Sequence, residues 1–161
     1  MAARHGKTEM ARRLLDTGAY PNALGGKQAT ALHAAITAAM TAMLLAAGAD
    51  PDARNKEGET PQFGAARCGQ VDQMRLLIDA GTDMDAINEK RETALFQAGQ
   101  RGIIEAVDYL LGTGANPDLP GDSGRSLTAA AKRNSFLRTY MTDRVMRGCI
   151  DAALAEIARP V

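Results

Sequence analysis

Leucine pairs recur along the chain at Leu14-Leu15, Leu44-Leu45, Leu76-Leu77 and Leu110-Leu111. Around them apolar residues keep helical spacing, as in Val71, Met74, Leu77 and Ile78, so each pair is expected to mark an amphipathic helix with one inward stripe. A glycine then opens the same polar phrase each time: Gly18-Ala19-Tyr20-Pro21-Asn22, Gly48-Ala49-Asp50-Pro51-Asp52, Gly81-Thr82-Asp83-Met84-Asp85 and Gly114-Ala115-Asn116-Pro117-Asp118. The intervals between these glycines are 30, 33 and 33 residues. Such a period describes copies of one supersecondary unit, none of which can bury its apolar face without a neighbour.

Residues 55–87 are the cleanest copy. Thr60 suits a helix N-cap and Pro61 its first position, where the missing N–H costs nothing. Gly69 supplies a turn, and a second helix runs back antiparallel until Gly81. The polar stretch after Gly81 fits a hairpin-like finger leading into the next copy. The copies then span approximately 1–24, 25–54, 55–87, 88–120 and 121–161.

Several copies depart from this pattern. The first is truncated: Ala2-Ala3-Arg4-His5-Gly6 reads as the fraying end of a first helix, with Lys7 and Thr8 opening the second. In the second copy His33 to Gly48 spans 15 residues, against 18 from Phe63 to Gly81, which predicts an unusually short corner at Thr37-Ala38-Ala39. In the fourth, Arg91 replaces the finger glycine seen at Gly58 and Gly99 replaces a small alanine, so lower local stability is expected there. In the fifth, Ser126 to Gly148 spans 22 residues where Thr60 to Gly69 spans 9. The insert, approximately 134–147, either lengthens the first helix or forms a separate one capped by Asn134 or Ser135.

This unit resembles the ankyrin repeat, whose Thr-Pro-Leu-His-x-Ala signature appears as Thr30-Ala31-Leu32-His33-Ala34-Ala35. Partial forms are Thr60-Pro61-Gln62-Phe63-Gly64-Ala65 and Thr93-Ala94-Leu95-Phe96-Gln97-Ala98. The resemblance runs from residue 1 to about 133. It implies an all-α ankyrin-repeat solenoid of about five repeats, forming a single domain over residues 1–161, in which His33 bonds finger to helix. It also implies a non-catalytic module that binds another protein through its fingers and the concave side of its first helices.

Carried over by phase, the partner-binding positions are Arg4, Arg54, Lys56, Glu59, Arg67, Lys90, Glu92, Arg101, Arg125 and Arg133. Among them Arg4, Arg67, Arg101 and Arg133 would form a basic line able to orient an acidic partner. Aromatic residues make up only 4% of the chain, so their placement is informative. Phe63, Phe96 and Tyr109 fall on core positions. Tyr20 replaces the finger aspartate, and Phe136 and Tyr140 lie in the insert; these three are the anchor candidates.

The formal net charge is zero with both signs mixed along the sequence, which argues against a general nucleic-acid or membrane-surface binder. A soluble, cytoplasmic protein is expected. Cys68 and Cys149 fall in different copies at no metal-ligand or redox spacing and read as reduced thiols. Gly6-Lys7-Thr8 ends like a phosphate-binding loop, but Met1 stands where its first glycine belongs. Asp50, Asp83, Asn116, Asn22, Asp52, Asp85 and Asp118 read as turn residues bonding their own backbone rather than calcium ligands. No catalytic residue, metal or cofactor is expected. The chain would act as a monomer, in the manner of bacterial ankyrin proteins that inhibit a toxin or confer immunity to it. Two alternatives are a structural subunit that self-associates through its truncated first repeat, and a small-ligand sensor or enzyme with the insert as a lid.

Overall fold

A computed structural model of the chain describes residues 2–119, 121, 124, 126–128, 139 and 143, with side chains from Lys7 onward. Among the described residues the helices are α1 (Ala2–Asp16), α2 (Ala38–Ala46), α3 (Pro61–Arg67), α4 (Val71–Asp79), α5 (Ala94–Arg101) and α6 (Ile104–Thr113), with a 3-10 turn at Gly26–Gln28. An isolated antiparallel bridge joins Ile87 and Thr93 at the base of a finger.

The helices form two layers. In one, α1, α2, α4 and α6 each pack on the next; in the other, α3 packs on α5, and these two lie against α4 and α6. The recurring stripe sits in the interior, with Leu44, Leu77 and Leu110 all at or below 2% exposure, beside Met74, Ala106 and Val107. Phe63 and Phe96 join the same core. Full burial of one such side chain contributes about 1.5–3 kcal/mol, so the stack is held chiefly by this shared stripe. The glycines that close the second helices, Gly18, Gly48, Gly81 and Gly114, have φ between +86° and +103°, where a side chain would be strained.

The first two copies differ from expectation. No turn forms at Gly6; α1 runs unbroken from Ala2 to Asp16. A continuous helix keeps the backbone bonds that a turn at Gly6 would break. In the second copy the three missing residues remove the first helix itself. Residues Thr30 to Ala35 make only consecutive i to i+3 backbone bonds of 3.1–3.3 Å. Thr37 then accepts a bond from the Met40 N–H at 3.2 Å and starts α2 cleanly. A strong local cap at Thr37 fixes where α2 begins, so the shortage falls on the segment before it. The Ala35 and Ile36 carbonyls left without helical partners are met from the next copy, by Gln73 Nε2 at 3.0 Å and Gln70 Nε2 at 3.4 Å.

Two further expectations are corrected in the later copies. Thr60 and Pro61 take the N-cap and first position of α3 as expected, yet the Thr60 hydroxyl makes no cap bond and is buried without a partner among the described residues, whereas Thr93 caps α5 through the Phe96 N–H at 3.1 Å. In the second copy the equivalent hydroxyl of Thr30 lies 2.9 Å from His33 Nδ1. Phe63 offers no such acceptor. Gly99 is no defect either: a Cβ there would lie 2.2 Å from Leu127 Cδ1, and one at Gly121 would lie 2.5 Å from the Phe96 ring. These glycines let the following segment approach α5 closely. Arg91 does adopt the left-handed conformation of its counterpart Gly58, at φ +63° and +72° respectively. The insert over 134–147 lies mostly outside the described residues; Thr139 and Asp143 are helical and exposed.

Gln62 stands where the repeat motif carries leucine. It is 1% exposed, and neither its Nε2 nor its Oε1 has a hydrogen-bond partner among the described residues. A buried unpaired amide costs about 1–3 kcal/mol. Gln62→Leu is therefore expected to stabilise the protein by about that much, read as a higher urea midpoint at constant slope. An unchanged or lower midpoint would show that the amide is satisfied in solution.

Candidate partner-binding face

Three fingers project in register, with tips at Gly26–Gln28, Lys56–Gly58 and Glu89–Arg91. Each of the last two is built on an asparagine. Asn55 Oδ1 accepts from the Glu57 and Glu59 N–H groups at 2.9 and 3.0 Å, and Asn88 Oδ1 accepts from Lys90 and Glu92, both at 2.9 Å. Neighbouring fingers are joined by single backbone bonds, Lys56 N–H to the Lys27 carbonyl at 2.8 Å and Glu89 N–H to the Glu57 carbonyl at 3.0 Å. Arg54 Nη1 adds bonds to the Gly58 carbonyl at 3.1 Å and the Ile87 carbonyl at 2.7 Å, tying the second finger to the third.

A second row of links runs along the turns that close the second helices. Asp50, Asp83 and Asn116 bond the backbone two residues on, as turn residues should. Asn22, Asp52 and Asp85 do something else: their side-chain oxygens accept the N–H of Asp50, Asp83 and Asn116 in the next copy, at 2.7, 3.0 and 2.9 Å. Asp118 accepts from the Thr128 hydroxyl at 2.6 Å. The expectation that all seven serve only their own turn is thus corrected. The exact phase of the second acidic or amide residue was the available signal.

His33 bridges to the next finger as expected, although its own segment is a run of turns and not a helix. Its Nδ1 accepts from the Thr30 N–H at 3.2 Å, and its Nε2 lies 2.9 Å from the Glu59 carbonyl, which fixes the proton on Nε2.

Glu59 and Glu92, expected among the exposed contacts, are 8% and 7% exposed. Glu59 accepts both of its short bonds from Arg67 Nη1, at 2.6 and 2.7 Å, and a third from Gln97 Nε2 at 3.2 Å. Gln97 Nε2 also reaches Glu92 Oε2 at 2.9 Å, with Asn88 Nδ2 at 3.4 Å. Burial alone would push the Glu59 carboxyl upward; the Arg67 hydrogen bond and charge, with Gln97 and Asn88, outweigh it and hold it below the usual glutamate range. Arg67 is correspondingly committed. Of the proposed basic line, Arg101 is exposed at the end of α5, the Arg4 side chain lies outside the described set, and so does Arg133. Arg125, Phe136 and Tyr140 also lie outside it. Tyr20 is 69% exposed.

Lys56 and Lys90 remain on the surface. With Lys27, Glu57, Glu59, Asn88 and Glu89 they line a groove of about 420 Å³ between the fingers. Across the three fingers Lys27, Arg54, Lys56, Lys90 and Arg91 are exposed against two exposed carboxylates, Glu57 and Glu89. Among the described residues no group of three or more His, Cys, Asp or Glu side chains could hold a metal ion, and no helix is long and apolar enough to cross a membrane.

The sequence from residue 37 to 121, just over half of the chain, matches the family described as ankyrin repeats (3 copies). The chain belongs to the ankyrin-repeat family. Comparison with curated proteins finds no match. Ankyrin repeats generally mediate protein–protein interaction and are typically non-catalytic. In this ankyrin stack the finger groove and the adjoining surface of α3 and α5 are therefore the face to consider for a partner.

Glu59 ties stability to pH. A carboxyl held low in the folded state adds stability that is full above the unfolded value of about 4.3 and is lost as pH falls through the folded value. The urea midpoint is expected to stay level above about pH 5 and to decline below it, with Glu59→Gln flattening that decline. Parallel acid profiles for the two proteins would remove Glu59 as a contributor. Arg67→Met, which leaves the carboxylate without its cation, is expected to cost about 2 kcal/mol at neutral pH.

Proposed function

We propose that this protein is a non-catalytic binding module that grips an acidic surface of another protein through its fingers and the first-helix face, Arg101 included. The observation that carries this reading is the charge left on that face. Glu59 and Glu92 are held by Arg67, Gln97 and Asn88, so across the three fingers the exposed cations Lys27, Arg54, Lys56, Lys90 and Arg91 outnumber the exposed carboxylates Glu57 and Glu89. Cations arrayed at fixed spacing steer an acidic partner toward the face and set its register. Tyr20, exposed in the turn that closes α1, supplies an aromatic anchor of the kind that dominates interface energies. Arg125, Arg133, Phe136 and Tyr140, outside the described residues, stay among the proposed contacts on their sequence phase alone.

A module of this kind acts most simply by occupying a surface, so inhibition of the bound protein, as in an immunity-type pair, is the specific form proposed. A reducing cytoplasmic setting belongs to the same reading and suits the exposed thiol of Cys68.

Reversing the two central finger charges tests the proposal. Against a partner captured from the native source, Lys56→Glu combined with Lys90→Glu is expected to weaken binding about 10- to 100-fold, mostly through slower association, with an unchanged melting temperature. Unaltered affinity at low salt would remove the finger face from the interface.

A further inference from the structure

Each second helix of the stack carries a pair of residues four apart, buried in the later copies and apolar except for Gln73, on the side that faces the preceding copy. In α4 the pair is Gln73 and Leu77, at 4% and 2% exposure, and in α6 it is Ala106 and Leu110, both at 0%. The direction is set by Gln73, whose Nε2 bonds Thr41 Oγ1 of α2 at 2.8 Å. In α2 the equivalent Leu44 is 1% exposed and Met40 packs against the core. The same positions in α1 are Met10 and Leu14, and there the exposures are 66% and 55%. They line an open hollow of about 390 Å³ with Glu9, Arg13 and Thr17. Four of the six exposed large apolar side chains among the described residues lie in the first copy, at Met10, Leu14, Tyr20 and Leu24. The chain thus presents at α1 a stacking surface of the type it buries everywhere else.

We propose that a second copy of this chain covers this surface, with the two α1 helices packed antiparallel about a twofold axis. The charges beside the stripe select that occupant. Glu9 and Arg13 lie one turn apart on the same flank and contact each other at 3.3 Å, both well exposed. In an antiparallel helix pair like flanks meet, so each Glu9 faces the partner's Arg13 and each Arg13 the partner's Glu9. The same operation sets Met10 against the partner's Leu14. Contacts that reciprocate in this way define a closed twofold interface, which stops at two copies rather than growing into a filament. One helix face buries less than the roughly 1,200 Å² typical of stable complexes, so the dimer is a weak one. It uses none of the finger residues, and its failure would leave the finger-face reading intact.

Sedimentation velocity on the 161-residue chain, from about 5 to about 500 µM, tests this. The weight-average mass is expected to rise toward twice the monomer value. Leu14→Glu is expected to abolish the rise, and Glu9→Arg to weaken association about tenfold or more. The exchange Glu9→Arg with Arg13→Glu keeps the flank self-complementary and should return the dimer to within about threefold of the original. A mass that stays monomeric throughout overturns the proposal and assigns the stripe to a different polypeptide. A dimer indifferent to Leu14→Glu, or a charge exchange that fails to restore what Glu9→Arg weakens, overturns it as well.

Discussion

Two rows of hydrogen bonds between copies set the pitch of this protein, and the placement of everything on its surface follows from them. One row joins Asn22, Asp52 and Asp85 to the backbone of the next copy; the other joins finger to finger through Lys27, Lys56, Glu57 and Glu89. Neither row is strong alone, since an intramolecular hydrogen bond contributes about 1 kcal/mol net. Their value is geometric. The apolar stripe of Leu44, Leu77 and Leu110 drives association of the copies but is not directional, whereas links at the fingers and at the closing turns fix how one copy sits on the next.

The second copy shows how much disturbance this arrangement absorbs. Losing three residues deletes a helix, yet Leu32 remains buried, His33 still bridges to the Glu59 carbonyl, and the finger bond from Lys56 to Lys27 is kept. Gln70 and Gln73 of the following copy fill in for the missing helical donors. The pitch survives because both rows of links survive, and local helix content is the quantity given up. This is the nearest-neighbour behaviour of a repeat array, in which a defect is met by the adjoining unit rather than spread through a common core.

What the sequence made legible was whatever depends on short range and strict period: the unit, its two helices, the closing glycines, the burial of Phe63 and Phe96 and the bridging role of His33. The remainder depended on partners distant in sequence. Glu59 reads as a surface residue until Gln97, 38 positions on, and Arg67 are placed beside it. The spacing shared by Asn55 with Glu59 and Asn88 with Glu92 was a usable signal, because two asparagines in phase imply a common turn that draws the glutamates inward. The loss of the first helix in the second copy was harder to foresee. A three-residue deletion can be taken from a corner or from a helix, and the choice rests on Thr37, whose cap fixes the start of α2.

The same network bears on recognition. A finger that ordered only on contact would charge its conformational entropy against binding, at about 1–2 kcal/mol for each residue fixed. Here the turns are already closed by Asn55 and Asn88, the second and third fingers are clamped by Arg54, and the finger bases are held by Arg67, Glu59 and Gln97. What remains to be ordered are the tips of Lys27, Lys56 and Lys90. A partner meeting this face therefore finds backbone positions already set and lysines free to adjust over a few ångströms. That combination favours fast, salt-sensitive association with an acidic surface whose charges repeat at the pitch of the stack.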